Sequence, residues 1–221
     1  MTTACAQISP LGKNIKTYRS LDFSTNCPKR RANNPCSYCY VETARKRDFR
    51  AKTVVDYIPY NGEISRLTKA SVKKLNQCGG LRIFSFGDYF PEMDDDLFSA
   101  IKDATASGLA LKAITKQVDF VYKFHQYMRV INISVDSLDQ GVDHGLAKEL
   151  RKSYSNVLIR AAIMSDKDIE ELSWVDIYTF NHAHNGFKFY SQKQVALLAK
   201  KFPGKVCCET GRCHNCVIKC G

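Results

Sequence analysis

The chain of 221 residues has no apolar run approaching the roughly 18 residues that a membrane helix needs. Met1 to Lys16 carry no continuous apolar stretch either, so no secretory leader is expected and the reading is a cytoplasmic protein without a membrane partner. No segment is of low complexity and no motif recurs at a fixed period, which excludes repeat architectures. Acidic side chains are in short supply: 22 stand against 33 lysines and arginines, leaving a formal charge of +11. Such a balance favours anionic partners, either nucleic acid or an acidic or phosphorylated substrate. What is present is ordinary globular material, 44% hydrophobic and 25% charged, in a chain long enough to bury a core without disulfides. Ten cysteines in a reducing compartment then read as metal ligands or catalytic groups.

Short β-forming runs recur at Arg19–Thr25, Leu81–Phe86, Leu109–Thr115, Val130–Val135, Val157–Ile163 and Val175–Phe180. Helical spacing of apolar residues predicts helices over Tyr40–Phe49, Ile64–Gln77, Asp94–Ala106, Val118–Met128, Gly141–Ser153, Asp166–Leu172 and Gln192–Lys201. This alternation predicts an α/β fold with a mainly parallel sheet, a partial (βα)6 barrel over residues 1–204. Ligands of such sheets gather at the C-terminal strand ends. Cys27, Gly87, Asp88, Lys116, Asp136, Ser137, Asn181, His182 and His184 all fall there, and Arg160 lies within the fifth strand. Residues 205–221 read as a cysteine-rich metal-binding tail.

Cys27, Cys36 and Cys39 form one constellation, stiffened by Pro28 and Pro35. Thiolates select zinc or iron–sulfur clusters. Closed structural zinc takes four ligands, whereas three cysteines leave one iron of a [4Fe–4S] cubane open to a cofactor. The competing reading is a zinc loop completed by a distant cysteine such as Cys78. Cys207, Cys208, Cys213, His214, Cys216 and Cys220 form a second constellation, suited to a second iron–sulfur cluster or to zinc, with Cys208, Cys213 and Cys216 plus Cys220 or Cys207 as its candidate ligands. Cys5 and Cys78 stand alone and read as small packing residues.

A strand followed by a three-cysteine loop with an aromatic before the last cysteine (Cys36-Ser37-Tyr38-Cys39) resembles the radical S-adenosylmethionine superfamily. The usual C-x3-C-x2-C spacing is stretched here to eight residues before the Cys36/Cys39 pair. Ser85-Phe86-Gly87-Asp88 resembles that superfamily's glycine–acidic segment, and Ser134-Val135-Asp136-Ser137 its polar strand end. Cys27-Pro28, Cys39-Tyr40, Phe86–Tyr89 and Cys208–Cys216 are similar in layout to phage-associated radical SAM-like proteins of the gene product 88 type. The resemblance implies that S-adenosylmethionine binds the open iron and that its reductive cleavage yields a 5′-deoxyadenosyl radical, which abstracts hydrogen from a substrate the sequence does not name. An electron donor such as flavodoxin or ferredoxin is implied. Asp88 would meet the ammonium, Arg160 the carboxylate, Ser134 or Asp136 the ribose or the carboxylate, and Tyr38 or Tyr40 the adenine.

Each residue has a plainer role to set beside this. Asp88 could cap a helix, Arg160 could sit in a buried ion pair, and Ser134 and Asp136 could end a strand in a turn. Lys116, Asn181, His182 and His184 could meet substrate or water. Lys29-Arg30-Arg31 and Arg45-Lys46-Arg47 could attract an anionic substrate, contact nucleic acid, or form a solvated face. Two other functions compete at the level of the whole chain. One is a zinc-stabilised nucleic-acid-binding protein without catalysis, and the other an iron–sulfur electron carrier or redox sensor.

Overall fold

A computed structural model describes residues 20–34, 36, 54–85, 87–138, 140–180 and 190–209. Its strands are β1 (Ser20–Leu21), β2 (Leu81–Ile83), β3 (Leu111–Thr115), β4 (Val130–Val135), β5 (Val157–Ile163), β6 (Ile177–Phe180) and β7 (Val206–Glu209). They lie in chain order in one sheet, and all six neighbouring pairs are parallel. The described helices are α1 (Pro28–Arg31), α2 (Lys69–Gln77), α3 (Asp94–Ser107), α4 (Val118–Phe124), α5 (His144–Ser153), α6 (Asp166–Glu171) and α7 (Gln192–Lys201). No helix among the described residues is long and apolar enough to cross a membrane.

The expected bounds of β4, β5 and α7 coincide with those observed. Elsewhere local chemistry overrides the pattern. β1 is only two residues long, because Phe23 O and Thr25 N leave the sheet direction to bond Ile58 N at 2.7 Å and Val55 O at 2.9 Å. The expected helix from Ile64 begins at Lys69, where Thr68 caps it by accepting from Ser71 N at 3.2 Å. The expected Val118–Met128 helix becomes α4 and a 3₁₀ turn over His125–Tyr127. α3 stops where Gly108 takes φ +68 and its amide returns to Ala104 O and Thr105 O. β7 lies in the segment read as tail, so the sheet continues four residues past Lys205. The expected Tyr40–Phe49 helix lies outside the described residues.

Because the pairs are parallel and in register, side chains sort into two faces. One face carries Leu21, Leu81, Ile83, Leu111, Ala113, Ile131, Ile133, Val135, Val157, Ile159, Ala161, Ile163, Tyr178 and Phe180. These join Val72 and Leu75 of α2, Leu97 and Ile101 of α3, Phe120 and Phe124 of α4, and Leu150 of α5 in a single apolar core. Each fully buried aliphatic or aromatic side chain contributes about 1.5–3 kcal/mol to holding the helices there. The opposite face carries the polar residues Ser20, Arg82, Lys112, Asn132, Ser134, Arg160 and Thr179, with Ile114, Val130, Leu158, Ala162 and Ile177 between them. Lys112 is fully buried on it, donating from Nζ to Cys78 O at 3.1 Å. A doubly wound sheet reverses its strand order at a switch point. Strands that are all parallel and in unbroken chain order are compatible with a partial barrel.

Candidate functional site

At the C-terminal edge, β2 ends in a bend. Phe84 takes φ +64, a conformation that costs a bulky residue about 1–3 kcal/mol. It is held there by burial and by edge contacts to Phe120 at 5.2 Å and Phe23 at 6.4 Å. The bend directs Gly87 and Asp88 toward the loop after β1. Asp88 N donates to Asn26 O at 2.9 Å, and Ser24 Oγ lies 3.0 Å from both Asp88 O and Asn26 O.

The Asp88 carboxylate ties this loop to β3. Oδ1 accepts from Thr115 Oγ1 at 2.5 Å and from Tyr89 N at 2.8 Å, while Oδ2 accepts from Lys116 N at 2.9 Å. It therefore does not cap the following helical segment: Phe90 precedes a 3₁₀ turn over Pro91–Met93, and Met93 precedes α3. Burial raises the Asp88 carboxyl above its usual range, against the Thr115 hydroxyl, the Lys116 and Tyr89 amides and the Lys116 ammonium, which favour the anion. A raised folded value means that the stability from this group is fullest below about pH 4, the ordinary carboxylate value. It is lost as pH rises through the folded value. Denaturation midpoints of the wild type relative to Asp88→Asn are accordingly expected to fall with rising pH above that point and then level off. A wild-type advantage that grows with pH would contradict the burial argument.

Lys116 begins the next layer. Its Nζ lies 2.9 Å from Cys36 Sγ, 3.1 Å from Gln140 O and 3.6 Å from Asp136 Oδ2. Asp136 is fully buried and does end β4 in a turn: its Oδ1 accepts from Leu138 N and Gln140 N, each at 2.9 Å. Cys36 packs against Ala162 and Met164, which share a sheet face with Arg160 on β5. Its sulfur thus sits at the mouth of that face. Arg160 donates from Nε to Thr179 Oγ1 at 2.5 Å and pairs in register with Ser134.

Cys27 follows β1 and precedes α1; it and Cys36 are partly exposed. Beside Cys27, Asn26 is buried and donates to Asp56 Oδ1 at 2.6 Å, while its own Oδ1 has no hydrogen-bond partner. Asn26, Arg30, Arg31, Asn33, Asp56 and Tyr57 line an open cavity of about 840 Å³. Arg31 is paired there with Asp56 at 3.4 Å and Glu92 at 3.2 Å, so part of the basic run is balanced within the protein. Cys78 is exposed, not packed, and lies before β2, at the sheet edge opposite Cys27. That placement removes it as a fourth ligand for the Cys27/Cys36 loop.

The structure thus brings Cys36, Lys116, Asp136 and Gln140 together and links Asp88 to Lys116 through the backbone. Arg160 faces Thr179. Tyr38, Cys39, Tyr40, Asn181, His182, His184, Cys213, Cys216 and Cys220 lie outside the described residues, and Cys208 is placed only by its backbone in β7, opposite Thr179. Among the described residues no group of three or more His, Cys, Asp or Glu side chains forms a metal-sized cluster. Asn26, Thr115 and Gln140 were not foreseen. Asn26 had a signal in its position directly before Cys27; the other two act through contacts distant in sequence. No protein-family model and no curated protein matches the chain.

Proposed function

We propose that the chain is a cytoplasmic radical S-adenosylmethionine enzyme on a partial (βα) barrel, with Cys27, Cys36 and Cys39 holding a [4Fe–4S] cluster. The observation that carries this reading is the position of Cys36 at the C-terminal strand ends, beside the Lys116 ammonium, which also pairs with Asp136 and whose amide is held by Asp88. Cys27 follows β1, so both described cysteines lie beyond C-terminal strand ends, where ligands of parallel sheets bind. Soft thiolate donors with an N–H donor at the sulfur fit a cluster. When bound, the cluster would supply the electron that cleaves the cofactor's sulfonium bond.

The protein's part is binding and orientation. Arg160 and Ser134, neighbours on the face opposite the main core, would meet the cofactor's carboxylate and ribose. Gly87 and Asp88 would act by fixing the loop beside the cysteines, since the Asp88 oxygens already accept three protein donors. An anionic substrate is favoured by the net charge of +11, and flavodoxin or ferredoxin would reduce the cluster.

The test is anaerobic reconstitution. Wild type is expected to be brown, with broad absorbance near about 400 nm, and to release 5′-deoxyadenosine with dithionite and S-adenosylmethionine. The Cys27/Cys36/Cys39→Ala variant should lose that cluster and the product, whereas Cys208/Cys213/Cys216→Ala should keep both. Colourless wild type with stoichiometric zinc would sink the reading in favour of a zinc-stabilised nucleic-acid-binding protein. A cluster without 5′-deoxyadenosine would favour an electron carrier.

A further inference from the structure

Among the described residues, Lys116 directs its Nζ at Cys36 Sγ, 2.9 Å away, and Gln140 O, 3.1 Å away, and pairs with Asp136 Oδ2 at 3.6 Å. Two of those acceptors are anchored. Asp136 is fully buried and pinned by the Leu138 and Gln140 amides, and that second bond also fixes the peptide of Gln140. Lys116 is itself fixed at the backbone, where its amide donates to Asp88. Its side chain is 17% exposed, so little water competes for the sulfur. Lys116 therefore donates to the Cys36 sulfur from a fixed position.

Hydrogen bonds to cluster sulfurs and local positive charge both raise an iron–sulfur reduction potential, because they stabilise the extra electron. We infer that Lys116 is a positioning residue for the cluster: it donates to the Cys36 sulfur and holds the cluster's reduction potential up. The inference rests on the cluster reading above.

Redox titration of the reconstituted protein, followed by electron paramagnetic resonance, tests it. Lys116→Met keeps the apolar stem and removes both charge and donor; its midpoint potential is expected to move to a more negative value. Lys116→Arg should return most of the shift. A residue that merely joins two loops would not move this potential. An unchanged potential in a Lys116→Met protein with wild-type iron and sulfide content overturns the inference and leaves the cluster reading standing. Absence of a cluster in the wild type fails the reading itself. Should Lys116→Met lose its cluster, Lys116→Gln, which keeps an N–H without charge, carries the decision: a negative shift supports the inference and an unshifted potential overturns it.

Discussion

Gly87→Ala is expected to cost about 3 kcal/mol, the upper range for overpacking a closed site. A Cβ at residue 87 would stand 2.0 Å from Ser24 Oγ and 2.6 Å from the carbonyl oxygens of Ser24 and Asn26. The hydroxyl is a side-chain end that can rotate away, but the two carbonyls are backbone. Asn26 O receives the Asp88 amide, and the same loop is tied to residues 54–58 by Thr25 N to Val55 O and by Ile58 N to Phe23 O. Relief would therefore have to separate the loops after β1 and β2, drawing Asp88 from Thr115 and Lys116. Gly204→Ala is the control: nothing lies within 4 Å of its added Cβ, so its effect should stay within about 0.5 kcal/mol. Urea denaturation with equal slopes gives both values. Equal midpoints for the two variants would show that the loops are not in the close contact described.

The same glycine shows how a position can be legible in sequence while its contacts are not. Its place after β2 follows from the apolar run Leu81–Phe86 and the breaker that follows it. What the site requires of it is space for Ser24 and Asn26, more than sixty residues earlier in the chain, and no local pattern reports that. Asp88 is a like case. Its position was legible, but its partners Thr115 and Lys116 belong to the neighbouring strand, and only parallel pairing of β2 with β3 brings them within reach.

The elements themselves were legible where burial alone decides. β4 and β5 lie central in the sheet, and their alternation of apolar and polar residues suffices to bound them. It fails at the edges. β7 consists of Val206-Cys207-Cys208-Glu209, and two cysteines beside Pro203-Gly204 look like metal ligands after a chain breaker, not like a strand. Ile64 and Leu67 carry helical spacing, yet Ile64 N donates to Tyr60 Oη at 2.9 Å, and the helix waits for Thr68. The polar residues of the face opposite the main core were present singly in the strands. Seeing them as one surface needs the register, which aligns Arg82 with Lys112 and Ser134 with Arg160.

Asp136→Ala is expected to destabilise the protein by about 3 kcal/mol, the scale for breaking a buried charged pair. The carboxylate has no exposure; among the described residues the amides of Leu138 and Gln140 donate to it and the ammonium of Lys116 pairs with it. Alanine would leave all three facing a void that its methyl cannot fill. Asp136→Asn separates the two kinds of loss. Its Oδ1 still accepts from both amides, while Nδ2 faces Lys116 as a second donor, so about half of the penalty should remain. A double-mutant cycle with Lys116→Met then isolates the pair. Once the ammonium is gone, removing the carboxylate should cost about 1 kcal/mol less than it does in wild type. Strict additivity would mean that the 3.6 Å contact carries no energy and that Lys116 is held by its other contacts. An Asp136→Ala protein as stable as wild type would go further, removing the turn that sets both Gln140 and Lys116 against Cys36.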